Sequence, residues 1–527
     1  MEPPANLLRF ALSITLAAAA PAQTGFDTRL AAIMARPDYR HSRFGIAIYQ
    51  TNGGGPLYRL NAGQLFVPGS TTKLLTEGVA LKLIGPDYRF HTPIYRTGAL
   101  APEGVLLGDL VVVASGDLDL SGRILPDGTL AFVNVDHSYS GTPGSAALPG
   151  DPIAPLRQMA RQVAGHGVKR VTGRVIVDAG LFPEGERELG TGAVISPIVI
   201  NDNCVDITIA AGQREGDAAV AHLSPETTYI QVTDRVRTVA AGSQPQIRVT
   251  SDVRNPDGSR RLAIEGAIPA GHAPFFHAYK VPEPAVFASF LFRETLADAG
   301  VTVASAESGE PLVDGQTLAA WYKPENLVAE HVSPPFAEDA RITLKVSQNL
   351  HASTTPYLVG AIAGGKHADA LVEGFRLERQ LLEKDGLDLS GAVQADGAGG
   401  SALFTPDFMC QFLAYMAKQP FARAYHDSLP VLGKDGTLFD IQTASAAAGR
   451  VFAKTGTFSA ADRLHERSVI TGKGLAGYMT TRDGHDAVFA FYVNFVPADP
   501  ATGTHTVGEM LGEIATAAYE SDWGAGK

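Results

Sequence analysis

The sequence predicts a multi-domain protein of mixed α/β (α+β) class, in which one domain is interrupted by a large β-rich insertion of one or two modules. Three observations predict it. The two ends share a texture, strand-like runs beside long helical patterns. The middle, from about 99 to 322, instead alternates short strand-like runs with turns. The length of 527 residues leaves room for roughly three domains at about 100–200 residues each.

The elements follow in order. Arg9 precedes a short apolar stretch, Phe10 to Ala20, and "APA" at 20–22 fits small-residue cleavage, so 1–22 reads as an export signal peptide. Residues 43–50, "RFGIAIYQ", read as a strand, and "GGGP" then turns the chain. Ser70 to Ile84 reads as a helix stopped by Gly85-Pro86. Its apolar residues spread around the axis, which predicts a buried helix. The middle carries runs such as "GVLLGDLVVVASGD", "VTGRVIVDAGLF" and "QIRVTSDV", with helical patterns chiefly at "PIAPLRQMARQVAGHG" and "PEPAVFASFLFRETLADAG". Beyond about 335 helical patterns return. The chain closes with strands "GRVFAKTGTF", "KGLAGYMTTRDG" and "HDAVFAFYVNF" and a last helix expected to start at the capping-box pattern Thr506–Glu509. The expected division is 23–98 plus 323–527 for the interrupted domain, 99–212 plus 273–322 for a second, and 213–272 for a third, β-rich one.

Composition excludes several classes. The net charge of −12 without basic clusters argues against nucleic acid and anionic membranes as partners. After the leader, no segment has the roughly 18 apolar residues of a membrane span. Cys204 and Cys410 are expected as buried free thiols, with one bridge as the alternative. The 14 histidines show no metal-site spacing, and there is no phosphate-binding loop signature. No metal or cofactor is expected.

Three short motifs carry the chemistry. In Ser70-x-x-Lys73 the two side chains lie one helical turn apart. A serine hydroxyl needs a base in contact, and lysine serves only if burial or neighbouring positive charge lowers its pKa. Taken alone, the motif reads more readily as plain helix capping than as a catalytic pair. In "VSQN", Ser347 and Asn349 flank one residue and can both face a cleft, although both are ordinary turn residues. In "AKTGT", Lys454, Thr455 and Thr457 can bind a carboxylate, and Gly456 lets a substrate backbone approach. Alone, that run is a twisted strand with an exposed lysine. Together, S-x-x-K, S-x-N and K-T-G occur in that order and in helix-start, loop and strand contexts.

That joint pattern resembles the penicillin-recognising serine enzymes. No asparagine occurs between Asn349 and Lys454, so the Glu-x-x-x-Asn element of class A β-lactamases is missing. The long insertion, with "GDLVVVASGDLDLSG", "INDNCVDITI" and "LPVLGKDGTL", is similar to the three-domain class C low-molecular-mass penicillin-binding proteins, the D-Ala-D-Ala carboxypeptidase/endopeptidases. The resemblance implies an antiparallel sheet with helices on both faces. It implies Ser70 as acylated nucleophile, Lys73 as its base and Ser347 as proton relay. Asn349 would hold the peptide. Lys454 would support the low pKa of Lys73 and, with Thr455 and Thr457, attract the terminal carboxylate. The N–H groups of Ser70 and Thr457 would form an oxyanion hole. Peptidoglycan stem peptides would be the substrate and β-lactams the inhibitors, in an exported, periplasmic protein; a homo-oligomer is left open.

The chain departs from that family in three places. Gly69 stands where Ala is usual, "DGAGGSALFTP" at 396–406 replaces "DGSGLSR-N", and the 458–474 hairpin is longer. The hairpin is expected to overhang the leaving-group side. The alternatives are a related serine β-lactamase or esterase, and a non-catalytic cell-wall or β-lactam binder.

Overall fold

A computed structural model describes residues 25–53, 55–304, 315–365, 369–498 and 503–524; the expected leader at 1–22 lies outside these described residues. Strands β1 (Arg43–Gln50) and β2 (Pro56–Leu60) come from the N-terminal part. Strands β3 (Val451–Asp462), β4 (Arg467–Thr480), β5 (Asp486–Asn494) and β6 (Val496–Ala498) come from the far end. They form one sheet in the order β3-β4-β5-β1-β2, with β6 also on β4. Every pairing is antiparallel, including β1 with β5 from Arg43–Asn494 to Gln50–Ala487. The chain thus leaves this sheet and returns to it, as its matching ends predict.

Side chains alternate across the sheet, as pleating demands. Ile46, Ile48, Phe489 and Phe491 face one core, which takes Phe26, Leu30 and Ile33 of α1 (Gly25–Met34) and Leu511 and Ile514 of a terminal helix. Ala47, Val488, Ala490 and Tyr492 face the other core, with Leu74, Leu75 and Val79 of α2 (Thr72–Leu83). Every residue of α2 from Thr72 to Leu81 is buried, which is why its apolar residues surround the axis. Each fully buried Leu or Val there contributes about 1.5–3 kcal/mol. This second core also packs α3 (Phe336–Lys345), α4 (Asn349–Leu358) and α5 (Pro406–Met416). The helices therefore cover both faces of the sheet.

The terminal helix, α6 (Gly503–Glu520), starts one turn before the expected capping box. Thr506 lies inside it, and the Glu509 carboxylate accepts the Gln442 side-chain N–H at 2.6 Å instead of closing a box.

Between α2 and α3 the chain builds the insertion. Strands at Ile230–Val239, Gln246–Arg254 and Arg260–Pro269 form a small sheet of their own. Its Val236, Leu262 and Ile264 join the same apolar cluster as Val205, Ile207 and Phe287 of the surrounding insertion. Strands at His91–Arg96 and Leu327–Val332, just inside the expected ends of the interrupted domain, pair in a sheet with the inserted strands Leu110–Val113 and Val175–Asp178. Ile94, Val328 and Ala329 accordingly belong to the inserted core. Both cysteines are buried and free.

The long β3–β4 hairpin pairs as far out as Asp462–Arg467. Its outer half is held by β6, through Ser468–Ala498 and Ile470–Val496. The extra length therefore goes into a paired ribbon at the sheet end.

Candidate active site

Three elements converge. A turn of 3-10 helix, Gly69–Thr71, leads into α2 and places Ser70 and Lys73 at its start. The α3–α4 connection carries Ser347, with Asn349 at the first position of α4. Edge strand β3 carries Lys454–Thr457. All the residues singled out in the sequence meet here.

Lys73 is the hub. Its Nζ lies 2.9 Å from Ser70 Oγ, 3.0 Å from Ser347 Oγ, 2.9 Å from the Ser347 carbonyl and 2.5 Å from Asn349 Oδ1. Lys454 Nζ reaches the same Ser347 hydroxyl at 2.9 Å and the Thr455 carbonyl at 2.8 Å. One serine oxygen thus sits between two amines. Lys73 and Lys454 are both fully buried, whereas Ser70, Thr455 and Thr457 are half-buried at the cleft.

Burial lowers the pKa of Lys73 to about 7, against the pull of the carboxylates of Glu188, Asp396, Glu77 and Asp136. Removing an ammonium from water disfavours its charged form. Lys454 is driven well below the usual lysine range by burial first, then by repulsion from Lys73 and Lys473. Desolvation rather than a neighbouring cation is therefore the leading cause at Lys73. At pH 7 such a lysine is about half neutral, and a neutral amine in contact with a serine hydroxyl can take its proton.

Gly69 has a structural account. Its φ is +53°, a left-handed conformation open to glycine, and a Cβ there would fall 2.5 Å from the Thr457 backbone nitrogen. Gly456 serves the same contact from β3, because a Cβ there would fall 2.0 Å from the Pro68 carbonyl. Its smallness lets β3 lie against the turn that carries Ser70. The two glycines bring the backbone nitrogens of Ser70 and Thr457 to the same edge of the cleft.

Ser347 also has positive φ, +63°. For a residue with a Cβ this costs about 1–2 kcal/mol, so the surroundings must hold it. Tyr139 OH donates to the Ser347 carbonyl at 2.5 Å. Gln348, the middle residue of the motif, donates to Asp136 at 3.0 Å and Asp202 at 3.2 Å, and accepts the Leu350 N–H at 2.8 Å. Asp202 anchors a buried ionic network. Arg123 donates to Asp136 at 2.5 Å and Asp202 at 2.6 Å. His137 lies between Asp202 and Asp206, and His351 between Asp202 and Asp339. Burial pulls both histidines down, but the flanking carboxylates outweigh it and hold them well above the usual range. The insertion thereby clamps the S-x-N turn.

Among the described residues, two buried groups have metal-like spacing: Asp119, Asp339 and His351, and Asp136, His137 and Asp202. In both, the two histidine nitrogens are already engaged by carboxylates. They serve the ionic network in this structure.

Two hollows meet at Ser70, Asn349, Gly190 and Thr457. One, about 230 Å³, is lined by Glu186, Glu188, Asp396 and Phe458. The other, about 540 Å³, lies past Thr455 and Thr457 toward Lys473 and α6. The hairpin therefore borders both sides, with Phe458 in one hollow and Lys473 in the other. The altered 396–406 segment is ordered by Asp396, whose carboxylate accepts the N–H groups of Ala398, Gly399, Gly400 and Ser401 at 2.6–3.1 Å. It is fixed to α2 by Thr76, which donates to the Gly397 carbonyl at 2.8 Å.

Sequence reasoning missed Lys473, Tyr139 and Gln348. Lys473 donates to Thr457 Oγ1 at 2.8 Å and is 5% exposed. A lysine flanked by Gly472 and Gly474 in a strand reads as a surface residue, so only its cross-strand position opposite Thr457 could have flagged it.

Comparison with known proteins agrees with this geometry. The model of the D-Ala-D-Ala carboxypeptidase 3 (S13) family matches residues 26–513. The chain is 29% identical to a D-alanyl-D-alanine carboxypeptidase of Actinomadura sp. (strain R39), covering 82% of this chain and 76% of that protein. It is 23% identical to the D-alanyl-D-alanine carboxypeptidase DacB of Haemophilus influenzae, covering 82% and 81%. In fold it is similar to crystalline penicillin binding protein 4 (dacB) from Haemophilus influenzae, with TM-score 0.68, 18% identity, and 93% and 99% of the two chains covered. Motifs, converging side chains and a match over nearly the whole described chain place this protein in the D-Ala-D-Ala carboxypeptidase 3 (S13) family.

Proposed function

We propose that the protein is an exported serine DD-peptidase that cleaves the terminal D-Ala–D-Ala bond, the D-Ala cross-link, or both, in peptidoglycan stem peptides. The enzyme class, a serine-type carboxypeptidase, comes with the family. The observation that carries the residue roles is the buried Lys73 amine 2.9 Å from the Ser70 hydroxyl.

Neutral Lys73 takes the Ser70 proton as Oγ bonds to the carbonyl carbon of the penultimate D-Ala. The backbone N–H groups of Ser70 and Thr457 stabilise the resulting oxyanion. The proton passes by way of the Ser347 hydroxyl, which touches both amines, to the departing nitrogen as the C–N bond breaks. An acyl-serine ester remains. Water then attacks it and gives a proton to Lys73, which returns it to Ser70 Oγ as the ester bond breaks. Asn349 holds the acyl-side peptide, while Lys454, Thr455 and Thr457 face the terminal carboxylate. These steps balance with this chain's own groups and one water.

The same reading supplies the rest of the assignment. The leader at 1–22 is removed on export. The inserted part runs from the strand beginning at His91, which pairs with the inserted strand Leu110–Val113, to the one ending at Val332, which pairs with the His91 strand. β-Lactams act as substrate-like acylating inhibitors; the Haemophilus influenzae protein has been crystallised in complex with one.

The test is incubation with isolated muropeptides and separation of products by mass. Free D-Ala from pentapeptides, or monomers from cross-linked dimers, is the expected result. Hydrolysis of β-lactams or simple esters without either product would overturn the reading.

A further inference from the structure

The larger hollow beside Ser70 contains a cation that the reaction steps above leave unused. Lys473 lies on β4 directly opposite Thr457 of β3. Its stem runs beneath α6, where a Cβ at Gly508 would fall 3.8 Å from Nζ. It is 5% exposed yet lines the cavity of about 540 Å³, together with Ser70, Thr437, Thr455 and Thr457. Asp440 and His505 stand on the same wall.

Hydrogen-bond bookkeeping gives this lysine a task. Lysine is a donor only, so the contact to Thr457 Oγ1 is donated by Nζ. The Thr457 hydroxyl therefore keeps its single proton for another acceptor. An ammonium has three N–H groups, and Thr457 takes one. Lys454 is placed differently, since Ser347 Oγ and the Thr455 carbonyl already occupy two of its donors. Lys454 is also held well below the usual lysine range by burial first, then by Lys73 and Lys473. Lys473 keeps a pKa of about 8, lowered by burial and supported by Asp440. At neutral pH Lys473 is therefore mostly protonated.

We propose that Lys473 is a specificity residue on the leaving-group side, reading the free carboxylate of the departing residue jointly with the Thr457 hydroxyl. This rests on the DD-peptidase reading and adds to it a residue that the three motifs do not contain. A charge-assisted hydrogen bond to a carboxylate in a site screened from water is stronger than a neutral one. It separates a free acid from its amide, which offers only a neutral oxygen.

The experiment compares two peptides that differ only at the C-terminus, an acyl-D-Ala-D-Ala free acid and its carboxamide, on wild type, Lys473→Met and Lys473→Arg. Methionine keeps the stem's packing beneath α6 and removes the charge. The expected result is a fall of about 10- to 100-fold in the acid-over-amide preference of kcat/KM for Lys473→Met, mainly through KM, with most of the preference restored in Lys473→Arg. Equal losses on both peptides, or an unchanged preference, would overturn the proposal. Calorimetric binding of the same two peptides to Ser70→Ala, with and without Lys473→Met, reads the preference without turnover. If wild type is inactive on both peptides while binding keeps its Lys473-dependent preference, the DD-peptidase reading fails and only the carboxylate contact of Lys473 stands. Should Lys473→Met not fold, Lys473→Gln carries the same comparison.

Discussion

Lys73 Nζ and Ser70 Oγ lie 2.9 Å apart, and the lysine has no exposed surface. In the proposed mechanism this pair sets the pH dependence of acylation. The base must be neutral to accept the serine proton, and its pKa is about 7. The acylation rate constant with a penicillin is therefore expected to rise about tenfold per pH unit below 7 and to level off above it. Stopped-flow acylation between pH 5 and 9 measures this. A limb centred near 10 would show that Lys73 is not desolvated in solution.

Lys454→Gln separates burial from charge repulsion. Burial is the leading cause of the Lys73 shift. The variant is therefore expected to acylate at least about tenfold more slowly, by loss of the Ser347 contact, while its acid limb moves by less than about one unit. The pH profile of the variant checks this. A shift of two units or more would assign the effect to Lys454 charge.

Gly69→Ala tests the packing of the nucleophile turn on β3. The positive φ costs about 1–2 kcal/mol for a residue with a Cβ. The methyl would also meet the Thr457 nitrogen at 2.5 Å. Lower thermal stability and acylation slowed by at least about tenfold are expected, read by melting and labelling rate. Unchanged values for both would mean the turn relaxes freely.

Arg123→Met tests the clamp on the S-x-N turn. It leaves Asp136 and Asp202 buried without their cation, a change that costs about 3–5 kcal/mol. Urea unfolding measures the loss. Because Gln348 hangs on the same two carboxylates, slower acylation is expected even where the variant is fully folded.

Glu378 predicts a stability slope. Burial raises its pKa from 4.5 to about 8. The folded state then binds the proton more tightly than the unfolded state, so this contribution is complete below pH 4.5 and is lost as pH rises through 8. Glu378→Gln is expected to flatten the fall in stability over that window, by up to about 1 kcal/mol per pH unit. Parallel urea titrations at pH 5, 6.5 and 8 read the slope.

Much of this site was legible because its residues sit in short runs with local meaning. Ser70 and Lys73 are one turn apart on a helix whose burial shows in its apolar pattern. Lys454–Thr457 lie in a strand-like run just before the closing strands. The expected interruption rests on a change of texture, and the strands nearest its expected edges, His91–Arg96 and Leu327–Val332, share a sheet with the inserted strand Leu110–Val113. The network around Asp202 was not legible. Its members are as far apart as Asp202 and His351, separated by 149 positions, and only folding makes them neighbours. Lys473 was hidden for a related reason, because a cross-strand partner is set by register and not by proximity in the chain.

The most direct measurement is exposure of the purified protein to fluorescent penicillin, followed by peptide mass mapping of the adduct. The account predicts one stable label per chain, carried by the peptide containing Ser70, and none in Ser70→Ala. Wild type that stays unlabelled, or a label that persists in Ser70→Ala, would contradict it.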